Sequence, residues 1–172
     1  MVKVLITSDS HGLTEELSNI KEQVSTRHMI HCGDSELDMD APELSGFLKV
    51  AGNCDDDVRF PNEQTTSIHG LSFFITHGHL YRVKSGLHTL SYRAEEVQAD
   101  IICFGHTHIA GCEQIGRQLF INPGSIRLPR NRTERTYAVV EWEDFHDVRV
   151  HFYTLTGYRV DDLSARFSLS EK

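Results

Sequence analysis

Asp9-Ser10-His11-Gly12 follows directly on the apolar run Val4-Leu5-Ile6. A strand that runs straight into Asp-x-His presents two metal-competent side chains on the loop at its carboxyl end. Alone this is a weak signal, since many strands end in Asp or His. Four later segments repeat it: His31-Cys32-Gly33-Asp34, Gly52-Asn53-Cys54-Asp55, Thr76-His77-Gly78-His79 and Gly105-His106-Thr107-His108. Each follows a short apolar run and supplies Asp, Asn or His.

Working outward from Asp9, the helical spacing of Leu17, Ile20 and Val24 predicts a helix from Thr14. His28-Met29-Ile30-His31 is a second short strand, so strand, helix and strand within about thirty residues form the βαβ pattern of a parallel pair. Residues 35–46 are acidic and irregular, with a short helix after Pro42, and Phe47 to Ala51 is a third strand. Thr65 to His69 and Leu71 to Thr76 read as a hairpin around Gly70. Leu87, Leu90, Ala94 and Val97 mark a second amphipathic helix, and Ile101 to Phe104 a buried strand. Gly111 to Gly116 reads as a turn region, and Gln118 to Ile121 as a strand that ends in Asn122-Pro123-Gly124-Ser125. Tyr137 to Trp142 and Val148 to Tyr153 read as an antiparallel pair, and the last dozen residues as peripheral. This α/β pattern suits two sheets packed between helices, although a three-layer doubly wound fold fits it as well.

Composition narrows the function. At 172 residues, one domain spanning 1–172 is expected, with a substantial core. A formal net charge of -8 and the lack of a basic block argue against a nucleic-acid backbone as the main partner. No apolar run is long enough to cross a bilayer, and Met1 to Ile6 lacks the pattern of a secretory signal. Cys32, Cys54, Cys103 and Cys112 form no CxxC pair, so free thiols and a cytoplasmic location are expected. The count of 11 histidines, with His77-x-His79 and His106-x-His108 among them, exceeds what an ordinary core needs.

The Asp, Asn and His side chains at these strand ends could meet at one sheet edge, where open α/β folds place their sites. Imidazole, carboxylate and amide oxygen together suit borderline-hard divalent metals such as manganese, iron or zinc. Calcium prefers all-oxygen ligands and structural zinc prefers cysteine. So many donors exceed what one tetrahedral ion takes but suit two ions sharing a carboxylate, the arrangement for phosphoester hydrolysis. Two divalent ions offset by Asp9, Asp34 and a hydroxide would leave net positive charge for an anionic ester.

The ordered series Asp9-x-His11, Gly33-Asp34, Gly52-Asn53-Cys54-Asp55, Thr76-His77-Gly78-His79 and Gly105-His106-x-His108 resembles the calcineurin-like metallophosphoesterase superfamily. It is most similar to the small single-domain phosphodiesterases of the YfcE/MJ0936-like branch, and Asn122-Pro123-Gly124-Ser125 extends the match. The resemblance implies a four-layer α/β/β/α sandwich of two mixed β-sheets flanked by helices. It also implies two divalent ions, manganese foremost with nickel, cobalt, iron or zinc as alternatives, and a metal-bridging hydroxide that attacks a phosphoester. Position by position, Asp9, His11 and His108 would hold one ion, Asn53, His77 and His106 the other, and Asp34 would bridge them.

Asp34, Asn53, Cys54 and His79 are the implied catalytic candidates, and one of them departs from the family. Many members carry His where this chain has Cys54, and a thiol with an unperturbed pKa of about 8.5 is a poor acid for an alkoxide. His79 is either support for a ligand or a plain loop histidine. Asp55 either orients a ligand or, as the simpler reading, caps its turn, while His28, His31, His69, His88, His146 and His151 read as surface or core residues.

Arg127, Arg130, Arg132 and Arg135 form a basic loop that could meet substrate phosphate or a neighbouring subunit in a homo-oligomer. The partner expected is a small phosphoester. The alternative is a non-catalytic protein-interaction scaffold, since the retromer scaffold subunit also resembles this branch. Substrate choice would lie in residues 35–46, 80–86 and 126–135, none of which carries a decodable signature.

Overall fold

The computed structural model of the chain describes residues 1–170. Its first sheet is built from β1 (Val2–Thr7), β2 (His28–His31), β3 (Phe47–Lys49), β9 (Thr136–Trp142), β10 (Val148–Thr154) and β11 (Ala165–Phe167). The second comprises β4 (Glu63–Ile68), β5 (Leu71–Thr76), β6 (Ile101–Cys103), β7 (Gly111–Ile115) and β8 (Gln118–Asn122). The helices are α1 (Glu15–Val24) and α2 (His88–Glu96), with short 3-10 turns at Pro42–Leu44, His79–Tyr81 and Val83–Ser85.

The first sheet runs β11-β10-β9-β1-β2-β3 and the second β4-β5-β6-β8-β7. Each has a parallel segment, β1-β2-β3 along one side of the first sheet and β5-β6-β8 in the middle of the second, with antiparallel strands completing the sheet. Both are therefore mixed. Their central strands read as unbroken apolar runs because both faces are buried. Val4, Ile6 and Ile30 of the first sheet pack against Phe73, Ile75, Ile101 and Ile121 of the second. The residues between them point the other way: Leu5 and Val139 lie under Leu17 and Ile20 of α1, and Phe74, Ile102 and Phe120 under Leu90 and Ala94 of α2. The result is an α/β/β/α sandwich, as the family resemblance implied, rather than a three-layer fold.

Three local expectations are corrected. Residues 111–116, read as a turn region, form β7, which pairs antiparallel with β8 from Gly111↔Asn122 to Ile115↔Gln118. Gly-Cys-Glu-Gln-Ile lacks an apolar run because this edge strand is largely exposed and gains its order from backbone pairing. The third strand stops at Lys49, short of Ala51, because the chain there leaves the sheet: Ala51 N–H donates to Pro61 O. The last dozen residues, read as peripheral, contribute β11 to the edge of the first sheet and bury Leu169 in the inter-sheet core; 171–172 lie outside the described residues. The hairpin turn is as read: His69 and Gly70 both have positive φ (43° and 85°), as a two-residue type I′ turn requires.

Candidate metal centre

The parallel strands of both sheets deliver their carboxyl ends to one edge. Loops after β1, β2, β3, β5 and β6 carry the ligand candidates, and hydrogen bonds tie these loops together. Asp9 N–H donates to Gly33 O and His11 N–H to Asp34 O, each at 3.0 Å, joining the first two loops. Gly105 N–H donates to His77 O at 3.0 Å, joining two loops of the second sheet. Across the sheets, the His106 N–H donates to Asp9 Oδ2 at 3.1 Å.

Asp9, His11, Asp34, His106 and His108 all have positive φ, between 41° and 70°. This left-handed region is unfavourable for residues with a Cβ and costs about 1–3 kcal/mol each where it is imposed. Five such residues in one ligand set mean that each loop turns sharply off its strand to aim a side chain inward.

Three groups of side chains converge there. Asp9, His11 and His108 bring donor atoms within 4.8 Å of one another, and so do Asp9, Asp34 and His77, and the more exposed His11, Glu36 and Cys54. His108 Nε2 lies 3.2 Å from Asp9 Oδ1, and His11 Nε2 lies 3.2 Å from His108 Nε2. His77 Nε2 stands 3.1 Å from Asp34 Oδ2 and 3.7 Å from Asp9 Oδ1. The His106 and His79 rings lie beside His77, with centroids 5.1 and 5.3 Å away. Asn53 is exposed, its Nδ2 donating to Cys54 Sγ at 3.5 Å. The next N–H, that of Cys54, donates to Asp34 Oδ1 at 2.8 Å, so Asn53 stands one residue from that carboxylate contact.

The donor set fits divalent ions. Asp9 Oδ1 and His77 Nε2 are buried and lack a hydrogen-bond partner, a costly state for a polar atom. The far nitrogens are fixed: His77 Nδ1–H donates to Cys32 O and His108 Nδ1–H to Leu128 O, each at 2.7 Å. That leaves each Nε2 lone pair aimed into the cluster, the usual way a metal-ligating histidine is held. Glu36 Oε2 is 3.5 Å from His11 Nδ1 and is placed to do the same there.

Electrostatics divide the site: burial lowers His77 but Asp34 and Asp9 outweigh it, and Asp9 raises His108 against burial, so both rings are drawn toward the charged form. Burial would raise the Asp34 carboxyl, but His77 and the Cys54 N–H outweigh it and hold the group well below the usual carboxylate range. Burial and the neighbouring His77 push His106 down to about 4, so its ring is neutral at pH 7 and able to ligate.

Glycines make the close approach possible. A Cβ on Gly52 would collide with the Asp34 carboxylate, and one on Gly105 with Ser8 Oγ and Asp9 Oδ2.

Several supporting residues were not singled out from sequence. Ser8 Oγ–H donates to Asp9 Oδ2 at 2.5 Å, and Ser125 Oγ–H to Asp9 O at 2.7 Å. Asp55 does more than cap a turn: Oδ2 accepts from Gly52 and Asp34 N–H, and Oδ1 from Glu36 N–H, clamping two ligand loops together. Asn122 lies under the His106 loop, its Nδ2 donating to Gly105 O and Thr107 Oγ1. Of the four arginines, Arg132 is paired with Asp162 and Glu134, whereas Arg127 donates to His11 O at the site. All four cysteines are free, as read.

An α/β/β/α sandwich with Asp and His converging from its strand ends is the architecture of metallophosphoesterases. The profile of the "Calcineurin-like phosphoesterase superfamily domain" matches residues 2–144, and the chain belongs to that superfamily. It is 46% identical over 170 residues to a Bacillus subtilis protein named probable metallophosphoesterase YsnB, covering 98% of this chain and 100% of that one. Against phosphodiesterase YfcE of Escherichia coli it is 28% identical over 169 residues, covering 82% and 88%. The crystal structure of a conserved uncharacterized protein, a predicted phosphoesterase from Streptococcus pneumoniae, superposes with a TM-score of 0.92 at 34% identity, covering 98% of this chain and 99% of that one.

Proposed function

We propose that this chain is a binuclear metal-dependent phosphodiesterase acting on a small phosphoester. In this reading Asp9, His11 and His108 hold one ion, Asn53, His77 and His106 hold the other, and Asp34 serves both. The observation that carries it is the pair of buried, unpartnered atoms, Asp9 Oδ1 and His77 Nε2, 3.7 Å apart among fixed imidazoles. When bound, two divalent ions supply Lewis acidity toward phosphate oxygens and acidify a water for in-line attack. The mixed imidazole, carboxylate and amide set makes manganese the first ion to try. Free cysteines fit a reducing cytoplasm, and no helix among the described residues is long and apolar enough to cross a membrane.

The test is hydrolysis of bis-p-nitrophenyl phosphate by protein stripped with EDTA and reloaded with Mn2+. The stripped protein should be inactive and the reloaded protein active. No turnover by protein shown to carry two ions would defeat the enzyme reading and leave the scaffold alternative.

Protonation of the leaving group distinguishes this chain from members with His at position 54. Burial and the carboxylates of Asp34, Glu36 and Asp55 push the Cys54 thiol up to about 11. A thiol that holds its proton so firmly is a weak acid for a departing alkoxide. Turnover should therefore fall steeply as the leaving group becomes more basic. Cys54→His should flatten that slope, raising turnover of the poorest leaving groups about 100-fold, the low end of what general acids contribute. Superimposable slopes for wild type and variant would refute this role.

A further inference from the structure

His31 is the last residue of β2 and is only 1% exposed, yet it belongs to none of the three groups of candidate ligands. Its ring lies between the two loops that carry the aspartates. The Gly33 N–H donates to His31 Nδ1 at 3.1 Å, one residue before Asp34. A backbone N–H can only donate, so Nδ1 is the bare nitrogen and Nε2 carries the hydrogen. Nε2–H then donates to Ser10 Oγ at 2.8 Å, between Asp9 and His11. Burial keeps the ring neutral, which this one-donor, one-acceptor pattern requires. Edge-on contact with Phe47, centroids 6.1 Å apart, restricts its rotation.

We infer that His31 is a positioning residue whose imidazole bridges the Ser10 and Gly33 loops and so sets the separation of Asp9 from Asp34. The inference rests on the binuclear reading, because that separation matters only if both aspartates serve neighbouring ions. Backbone bonds already join the two loops, Asp9 N–H to Gly33 O and His11 N–H to Asp34 O. They fix main-chain register, and the buried His31 adds a side-chain tie between the same two loops. Residues that hold ligands in this way cost about 10–100-fold in metal affinity or activity when lost.

The test compares wild type with His31→Phe, which keeps a ring but removes both hydrogen bonds, and with His31→Asn, whose Oδ1 can still accept from Gly33 N–H. Mn2+ titration calorimetry gives affinity and stoichiometry, and electron paramagnetic resonance reports whether the two ions are spin-coupled. His31→Phe should bind the weaker ion about 10–100-fold less tightly and lose the coupled spectrum, with kcat falling more than KM changes. His31→Asn should recover part of both. Ser10→Ala, which cuts the bridge from the other end, should reproduce the loss if His31→Phe fails to fold.

A folded His31→Phe with wild-type Mn2+ affinity and coupling overturns the inference, even if its melting temperature drops, because His31 would then be a core histidine only. Wild type binding a single ion would overturn the binuclear reading together with this inference. Two ions in wild type and an unchanged variant overturn this inference alone.

Discussion

Asp34→Asn is expected to abolish phosphodiesterase activity while leaving the chain folded. The substitution is nearly isosteric, and the local frame does not depend on the charge. Asp55 still clamps the Asp34 and Gly52 N–H groups, and an Asn oxygen can still accept from Cys54 N–H, which now donates to Asp34 Oδ1 at 2.8 Å. The amide nitrogen then replaces Oδ2, 3.1 Å from His77 Nε2 and facing the cluster, so a donor stands where an acceptor is needed. Under the binuclear reading, one negative charge is also lost from a site that would hold two cations. Loss of an outer partner of a metal ligand costs about 10–100-fold, and a shared direct ligand should exceed that, roughly 10³-fold or more in kcat. Asp56→Asn, at an exposed carboxylate next to Asp55, should have no effect. Steady-state rates at saturating Mn2+, with circular dichroism to confirm folding, decide the matter. Activity unchanged in Asp34→Asn would defeat the enzyme reading outright.

The sequence revealed the site more fully than the frame that holds it. Asp9, His11, Asp34, His77, His106 and His108 could be read because metal chemistry restricts both residue type and place. Each had to be Asp or His, and each had to follow an apolar run. The parallel segments of the two sheets were legible for a related reason: Val4-Leu5-Ile6 and Ile101-Ile102-Cys103 are buried on both faces, which leaves an unbroken apolar run. β7 escaped notice because an exposed edge strand needs only backbone partners, and Gly111 to Ile115 carries no pattern that backbone pairing would require. Ser8 and the bridging role of His31 escaped for another reason, and the clamp made by Asp55 was legible only as one of two readings. Their roles depend on which loop lies opposite, and spacing along the chain cannot express that. The positive φ values of the ligand residues were equally hidden, since Asp and His carry no mark of left-handed backbone as Gly does.

Gly105→Ala should damage the site as severely as loss of an outer ligand partner, although a methyl group brings no charge and no hydrogen bond. Its Cβ would overlap Ser8 Oγ and Asp9 Oδ2. The Gly105 backbone has little freedom to retreat: its N–H is bonded to His77 O at 3.0 Å and its carbonyl accepts from Asn122 Nδ2 at 3.1 Å. Asp9 must therefore give way. Oδ2 leaves the Ser8 hydroxyl and the His106 N–H that now hold it, and Oδ1 turns away from His108 and His77. Forcing one extra carbon into so tight a contact costs about 1–3 kcal/mol of stability. Mn2+ affinity should fall about 10–100-fold.

Gly111→Ala is the matched control, since nothing lies within 4 Å of a Cβ there, and it should bind Mn2+ and melt like wild type. A double variant, Gly105→Ala with Ser8→Ala, separates steric displacement from general weakening of the loop. Removing the Ser8 hydroxyl clears one of the two colliding atoms, so the second substitution should restore part of the lost affinity. Ser8→Ala alone, which removes a donor from Asp9, should reduce it. Strictly additive losses in calorimetry would mean that the Gly105 methyl acts through something other than the Asp9 carboxylate.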